Sequence, residues 1–236
     1  MMLHAKGGQM NLLEFAFVFG ICAIFYAFAL PSQNQSLLIA QKSLHHHLQH
    51  AQILALSDNR HFLHTSHIHT LAQNYPAIHQ ERLLSQSKNA LWQFQLHLGR
   101  QVYTTFSYSV FIDTPRAAKS TDFDSRPMAG DIIAKDFSSR CISGYNNTNI
   151  STECKNNALF EARLAESINV ENLQIYAPNV CIERDTARLY FDSFGRGFCA
   201  KIPTPLPSGF QIRVVRNALY KDICVLPNGR ITNTLC

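Results

Sequence analysis

Apolar residues run almost without interruption from Leu12 to Leu30, and within that run only Glu14 carries a charge. Pro31 closes it. A helix of about 20 such residues is long enough to span a bilayer, which predicts a transmembrane segment. The pattern then becomes amphipathic. Leu37, Ala40, Leu44, Leu48, Ala51 and Leu54 recur at steps of three and four, placing one apolar stripe on a helix. Read together, the two segments predict a single helix from Asn11 to Leu56, roughly 70 Å long at about 1.5 Å per residue. Ser57-Asp58-Asn59 is a natural break. Residues 61–89 read as further helix, interrupted at Tyr75-Pro76 because proline disrupts a helix interior.

From Ala90 the period changes. Val102, Thr104, Phe106, Tyr108, Val110 and Ile112 alternate with Tyr103, Thr105, Ser107, Ser109 and Phe111, the period of two of a strand. Residues 114–168 are rich in turn signals and contain a predicted short helix around Ala158–Ser167. Further strands are predicted at Leu173–Tyr176, Arg188–Asp192, Phe198–Ile202, Phe210–Val215 and Ile223–Leu226, separated by Gly and Pro turns. Helix first and antiparallel strands later is an α+β pattern. The expected fold is a long N-terminal helix, transmembrane then amphipathic, packed on a C-terminal antiparallel sheet domain. The expected boundaries are residues 10–31 for the transmembrane segment, 32–89 for a helical stalk and the following helix, and 90–236 for a β-rich exported domain.

Composition adds the compartment. Of 236 residues, 46% are hydrophobic and only 16% charged, and seven are cysteine. Cys22 lies in the apolar run; the others form close pairs in sequence, Cys141 with Cys154, Cys181 with Cys199 and Cys224 with Cys236. Six cysteines allow 15 connectivities. Loop closure favours the three local pairs, and an even number beyond an export segment points to disulfides in an oxidising compartment. With Lys6 ahead of the span, the positive-inside rule places the amino terminus in the cytoplasm and the bulk of the chain outside.

Charge is unevenly placed. Residues 1–187 carry equal numbers of basic and acidic residues, so the whole formal net charge of +5 lies in residues 188–236. By charge, Arg213, Arg216 and Lys221 are candidate contacts for an acidic partner such as DNA; the alternative is a solvated sheet face with scattered arginines.

A carboxylate inside an apolar span costs about 2.5–3.5 kcal/mol on insertion scales, so Glu14 reads as functional. The partner it calls for is the amino terminus of a neighbouring chain, which points to a subunit that polymerises. Lys6-Gly7-Gly8-Gln9-Met10-Asn11-Leu12-Leu13-Glu14, the apolar run and Pro31 together resemble the amino terminus of type IV pilins and type II secretion pseudopilins. In that family a short basic leader ending in glycine precedes the mature first residue, a glutamate, an apolar helix and a helix-bending proline. The resemblance implies a leader over residues 1–9, processing by a prepilin peptidase at Gly8, Gln9 and Met10, and methylation of the new terminus. Gln9 stands where the family has glycine, so cleavage before Met10, cleavage before Gln9 and no cleavage all stay open. It further implies assembly through Glu14 and Pro31, a filament of a secretion, pilus or DNA-uptake machine, and an inner-membrane precursor whose bulk lies in the periplasm or on the cell surface. Partners would be other subunits, the peptidase, the inner membrane and, in competence-linked members, DNA.

Two turns strengthen the likeness to minor, H-subunit-like pseudopilins: Leu189-Tyr190-Phe191-Asp192-Ser193-Phe194-Gly195-Arg196 and Cys224-Val225-Leu226-Pro227-Asn228-Gly229-Arg230. Each runs from apolar strand through a turn to Gly-Arg. In some competence-linked members the carboxy-terminal Gly-Arg turn contacts DNA, so the resemblance implies Arg230 as a candidate DNA contact; those members carry a second basic residue two positions on, where this chain has Thr232.

Nine histidines lie between His45 and His79. His46 and His50, or His61, His64 and His67, are spaced to share a helix face, but no His-Glu-x-x-His accompanies them, and polar helix surface is the preferred reading over metal. No nucleophile elbow, phosphate loop or dinucleotide turn occurs, so neither an enzyme nor a cofactor is expected. Two other classes of reading remain. Ala27-Phe28-Ala29 fits an ordinary secretory signal, and an uncleaved anchor would carry an unrelated exported binding domain.

Overall fold

The computed structural model describes residues 12–29, 33–57, 91–100, 105–113, 126–129, 131–144, 150–200 and 203–236. Two helices open it, α1 (Leu12–Ala29) and α2 (Gln33–Ser57). The sheets use β1 (Gln93–Leu98), β2 (Phe106–Ile112), β3 (Ile132–Ile133), β4 (Asn172–Tyr176), β5 (Thr186–Phe191), β6 (Gly197–Cys199), β7 (Thr204–Pro205), β8 (Phe210–Arg216), β9 (Leu219–Val225) and β10 (Ile231–Thr232). Two short helices, α3 (Thr152–Asn156) and α4 (Leu164–Ile168), precede β4.

The strands form a six-stranded antiparallel sheet in the order β3-β2-β1-β5-β6-β7 and a four-stranded one in the order β10-β9-β8-β4. α2 packs against both. Leu37, Ala40, Leu44, Leu48 and Ala51, the stripe read from sequence, are fully buried, with Leu54 partly so. They meet Phe94 and Leu96 of β1, Leu189 and Phe191 of β5, Ile212 and Val214 of β8, and Ile223 and Val225 of β9 in one core cluster.

The central strand β1 is buried at every position although its residues alternate in polarity. Phe94, Leu96 and Leu98 belong to the core shared with α2. Gln93, Gln95 and His97 point to the other face, in register with Ser107, Ser109 and Phe111 of β2 and with Thr186, Arg188 and Tyr190 of β5. His97 shares hydrogen bonds with Ser107 Oγ at 2.8 Å and Gln95 Oε1 at 3.3 Å. Burial, reinforced by the charge of Arg188, lowers its pKa to about 3.

The expected long helix is corrected. Its two halves are separate helices, and no long apolar helix packs on the sheet; the helix that does, α2, is polar on its outer face. Among the described residues no helix is long and apolar enough to cross a membrane. α1 has 18 residues, about 27 Å of helix against a hydrocarbon core of about 30 Å, and holds Glu14 in its first turn. α2 is longer, at 25 residues, but rich in Gln, His and Ser. The transmembrane, single-pass, inner-membrane placement, with the bulk of the chain in the periplasm or on the cell surface, is therefore not supported.

Other expectations fare differently. Strands appear at each predicted C-terminal position, while β1, β3, β7 and β10 are additional. The predicted helix at 158–167 is a 3-10 turn at Phe160–Ala162 followed by α4. The helix expected over 61–89 lies outside the described residues. All three disulfides are the local ones, Cys141–Cys154, Cys181–Cys199 and Cys224–Cys236.

Candidate assembly interface

α1 is apolar along nearly its whole sequence. From Leu12 to Ala23 each side chain is exposed: Leu12 is 87% exposed, Phe17 69% and Phe19 66%. The rings of Phe15 and Phe19, one turn apart, lie 5.5 Å apart on the surface. A helix hydrophobic all round belongs in an interior, and an exposed patch of this kind marks a contact surface. Glu14 stands in the first turn, where a carboxylate complements the helix dipole. Cys22, also exposed, is the free cysteine.

α2 is fixed to the sheets by polar contacts as well as by its stripe. Gln41 Nε2 donates to the backbone oxygen of Asp222 at 2.6 Å. His47 Nδ1 and Ser43 Oγ lie 2.7 and 2.9 Å from the buried hydroxyl of Tyr108. Burial and the neighbouring imidazoles His46 and His50 bring the pKa of His47 down to about 4, and burial pushes the Tyr108 phenol up.

At the other end of α2 the two Gly-Arg turns meet. Gln52 Nε2 donates to Gly195 O at 2.7 Å and to Gly229 O at 2.9 Å, so one amide bridges both. Gly197 N donates to Pro227 O at 3.0 Å, closing the pair. Both glycines take positive φ, +75° and +83°, as a three-residue hairpin loop ending in a left-handed residue requires. A third loop repeats the geometry. In Asp136-Phe137-Ser138-Ser139-Arg140, Ser139 has φ +62°. Asp136 Oδ1 accepts from Ser138 N and Arg140 N while Oδ2 accepts from Arg140 Nε. Asp192 does the same for Phe194 N, Arg196 N and Arg196 Nε. Both loops carry a phenylalanine near the tip, Phe137 93% and Phe194 77% exposed. Burial acts to raise the Asp136 pKa, but its hydrogen bonds from Arg140 outweigh that and hold it below the ordinary carboxylate value.

The four basic candidates do not form one patch. Arg213 Nε and Nη2 bind the two carboxylate oxygens of Asp222 at 2.8 and 3.2 Å, and its guanidinium sits 4.0 Å from the Tyr220 ring centroid and 5.2 Å from that of Tyr176. Its charge is thus spent within the sheet. Lys221 pairs with Val214, on the opposite face from the Arg213–Asp222 pair. Arg216 and Leu219 close the β8–β9 hairpin, whereas Arg230 stands beyond the far end of β9 in the Gly-Arg turn. Arg188 and Arg196 are likewise ion-paired, with Glu183 and Asp192.

No family model, no curated protein and no solved structure matches the chain. The site therefore rests on its own geometry. Among the described residues no group of three or more His, Cys, Asp or Glu side chains is placed to hold a metal ion. His46 and His50 instead flank Phe137, with centroids 6.4 and 6.5 Å from its ring, and His46 and Phe137 help line a cleft of about 340 Å³ between α2 and the Asp136–Arg140 loop. His61, His64 and His67 lie outside the described residues, as do Gly8, Gln9, Met10 and Pro31. Sequence reasoning missed Gln52 and the Asp136 loop. The second had a signal, since Asp136…Arg140 and Asp192…Arg196 share Asp-x-x-x-Arg; Gln52 had none, being one of several glutamines on a polar helix.

Proposed function

We propose that this chain is a structural subunit of the pilin or pseudopilin kind, without catalytic activity, that builds a filament by packing α1 against the α1 helices of neighbouring subunits. The observation that carries this is the apolar surface of α1, exposed on every side from Leu12 to Ala23, beside a sheet domain whose own core is already filled by α2. Glu14, in the first turn, is the residue assigned to neutralise the amino terminus of the adjoining subunit, following the resemblance of residues 6–31. The three disulfides suit a domain that matures in an oxidising compartment. The DNA-contacting alternative gains nothing from Arg213, whose charge Asp222 already offsets.

Cys22 supplies the test, because it is a native thiol on the proposed packing surface. A bifunctional maleimide added to cells producing the full chain should join neighbouring subunits into covalent dimers, the limit set by one free thiol per chain. Glu14→Ala should leave the disulfide-bonded domain folded and abolish the dimer. Amino-terminal sequencing of the same material should begin at Met10 or Gln9. An unchanged dimer yield in Glu14→Ala, or monomer alone in the unaltered chain, would sink the filament reading.

A further inference from the structure

Sheet edges are hazards, and three of the four among the described residues are guarded. β3, β7 and β10 are two residues long. β7 ends in Pro205, which has no N–H to offer, and the tail after β10 is tied back by Cys224–Cys236. Short edges, proline and covalent restraint are the usual devices against strand addition. β4 has none of them. It is five residues long, Asn172-Leu173-Gln174-Ile175-Tyr176, without charge or proline, and among the described residues β8 is the one strand hydrogen-bonded to it.

The geometry points to a second copy of this chain as the occupant of that edge, adding its own β4 antiparallel about a two-fold axis through Gln174. The strand is self-complementary in that register. Leu173 falls opposite Ile175 of the second copy on the face continuous with the core, and Asn172 opposite Tyr176 on the outer face. Gln174 meets its own equivalent. Apolar faces apolar and polar faces polar, the arrangement in which cross-strand pairs stabilise a sheet. No like charges are opposed. Glu171 falls opposite Ala177, and its carboxylate already accepts from Asn217 N at 2.8 Å. The nearest cation, Arg213, is in register with Gln174 but offset by Asp222. Pro178 stops the pairing two residues past the strand. Tyr176 Oη donates to Gln174 Oε1 at 2.7 Å, which ties the two side chains together on the outer face. This contact uses no part of α1 and stands apart from the filament reading.

A pairing of this length buries less than the roughly 1,000 Å² of a standing interface, so it is a weak contact best read by trapping. The full chain carrying Cys22→Ser is given Gln174→Cys, Asn172→Cys or Tyr176→Cys and treated with a short bis-maleimide. In the two-fold register Gln174→Cys shifts to dimer mass by itself. Asn172→Cys and Tyr176→Cys each stay monomeric alone, because like positions stand four residues out of register, about 14 Å apart at roughly 3.4 Å per residue. Mixed together, those two variants cross-link. Equal yields in every sample would mean random collision and overturn the proposal. So would cross-linking of Gln174→Cys without the mixed pair, which excludes this register, or no cross-linking at all, which would leave the edge to a strand of another protein.

Discussion

Gly229→Ala tests the meeting of the two Gly-Arg turns more sharply than any change in the core. Gly229 sits at φ +83°, and a Cβ built there runs into the carbonyl oxygen of Gly195, a backbone atom that cannot step aside alone, and lies 2.7 Å from Gln52 Nε2. The left-handed conformation costs an alanine about 1–2 kcal/mol. Pushing the turns apart also breaks the two hydrogen bonds from Gln52, each worth roughly 1 kcal/mol net. The expected loss is about 3–4 kcal/mol. Gly195→Ala is the internal control. Its φ is +75°, but its nearest neighbours are the ends of flexible side chains, Gln52 Nε2 at 3.2 Å and Leu56 Cδ2 at 3.4 Å, so only the conformational cost of about 1–2 kcal/mol applies.

The assay is urea unfolding of the oxidised chain followed by Trp92, the single tryptophan, which packs partly buried against the core. A midpoint shift at constant slope reports the stability change directly. Gln52→Ala should lose about 2 kcal/mol, and combining it with Gly229→Ala should cost less than the sum, because both changes remove the same hydrogen bonds. If Gly229→Ala is no more destabilising than Gly195→Ala, or the double variant is additive, the turns do not meet on Gln52 and the reasoning fails.

Two further outcomes follow from the buried histidines and the disulfides. His47 and His97 are neutral when folded, with pKa values lowered to about 4 and about 3, whereas unfolded histidine titrates near 6.5. Their contribution is complete above about pH 6.5 and is lost as pH falls toward the folded values, at about 1.4 kcal/mol per pH unit for each, so urea midpoints should be level from about pH 8 to 6.5 and decline between about 6.5 and 5; a flat profile there would refute it, and His47→Gln should make the decline shallower, with His97 and His50, whose pKa burial also lowers, still contributing. The disulfides close loops of 13, 18 and 12 residues, each worth about 3 kcal/mol in the chain-entropy account. Replacing Cys181 and Cys199 together by alanine should exceed that in thermal or urea unfolding, because both sulfurs are fully buried in the core, and a loss smaller than that of the Cys224/Cys236 double variant would contradict it.

The α2 stripe was legible because Leu37, Ala40, Leu44, Leu48 and Ala51 keep helical spacing and bury together, so period and burial report one fact. The hairpin β8–β9 was legible for a related reason: Ile212, Val214, Ile223 and Val225 face the core while Gln211 and Arg213 do not. β1 escaped notice because its polar face is buried too. Gln93, Gln95 and His97 read as a solvent face or as loop, and only pairing with β2 and β5 on either side makes such residues a central strand. The local disulfides followed from loop closure, but the choice among 15 connectivities needed the sheet. The predicted continuous helix failed because hydropathy adds α1 to α2 across Pro31 without testing whether each is long and apolar enough for the role given to it. The basic lobe shows the same limit: a charge count leaves an acidic partner and a solvated face both open, because it cannot see that Arg188, Arg196 and Arg213 are already paired.

What holds α2 in register is a separate matter from what makes it bind. Its apolar stripe supplies burial energy but tolerates sliding, because one leucine fills much the same space as the next. A slip of four residues, about one turn, puts Leu48 where Leu44 stood and keeps the stripe on the sheets. Gln41 would then leave Asp222, His47 and Ser43 would leave Tyr108, and Gln52 would leave both turn carbonyls. His45 would lose Asn233, whose oxygen lies 2.7 Å from its Nδ1. Several of these partners are buried, and each stranded buried group costs about 1–3 kcal/mol, so the polar contacts together outweigh any packing gain from a shifted stripe. In the filament proposed above, α2 would be the element that carries force from α1 to the sheets. A helix locked by polar contacts along its length passes that force on without yielding, which a purely greasy one would not.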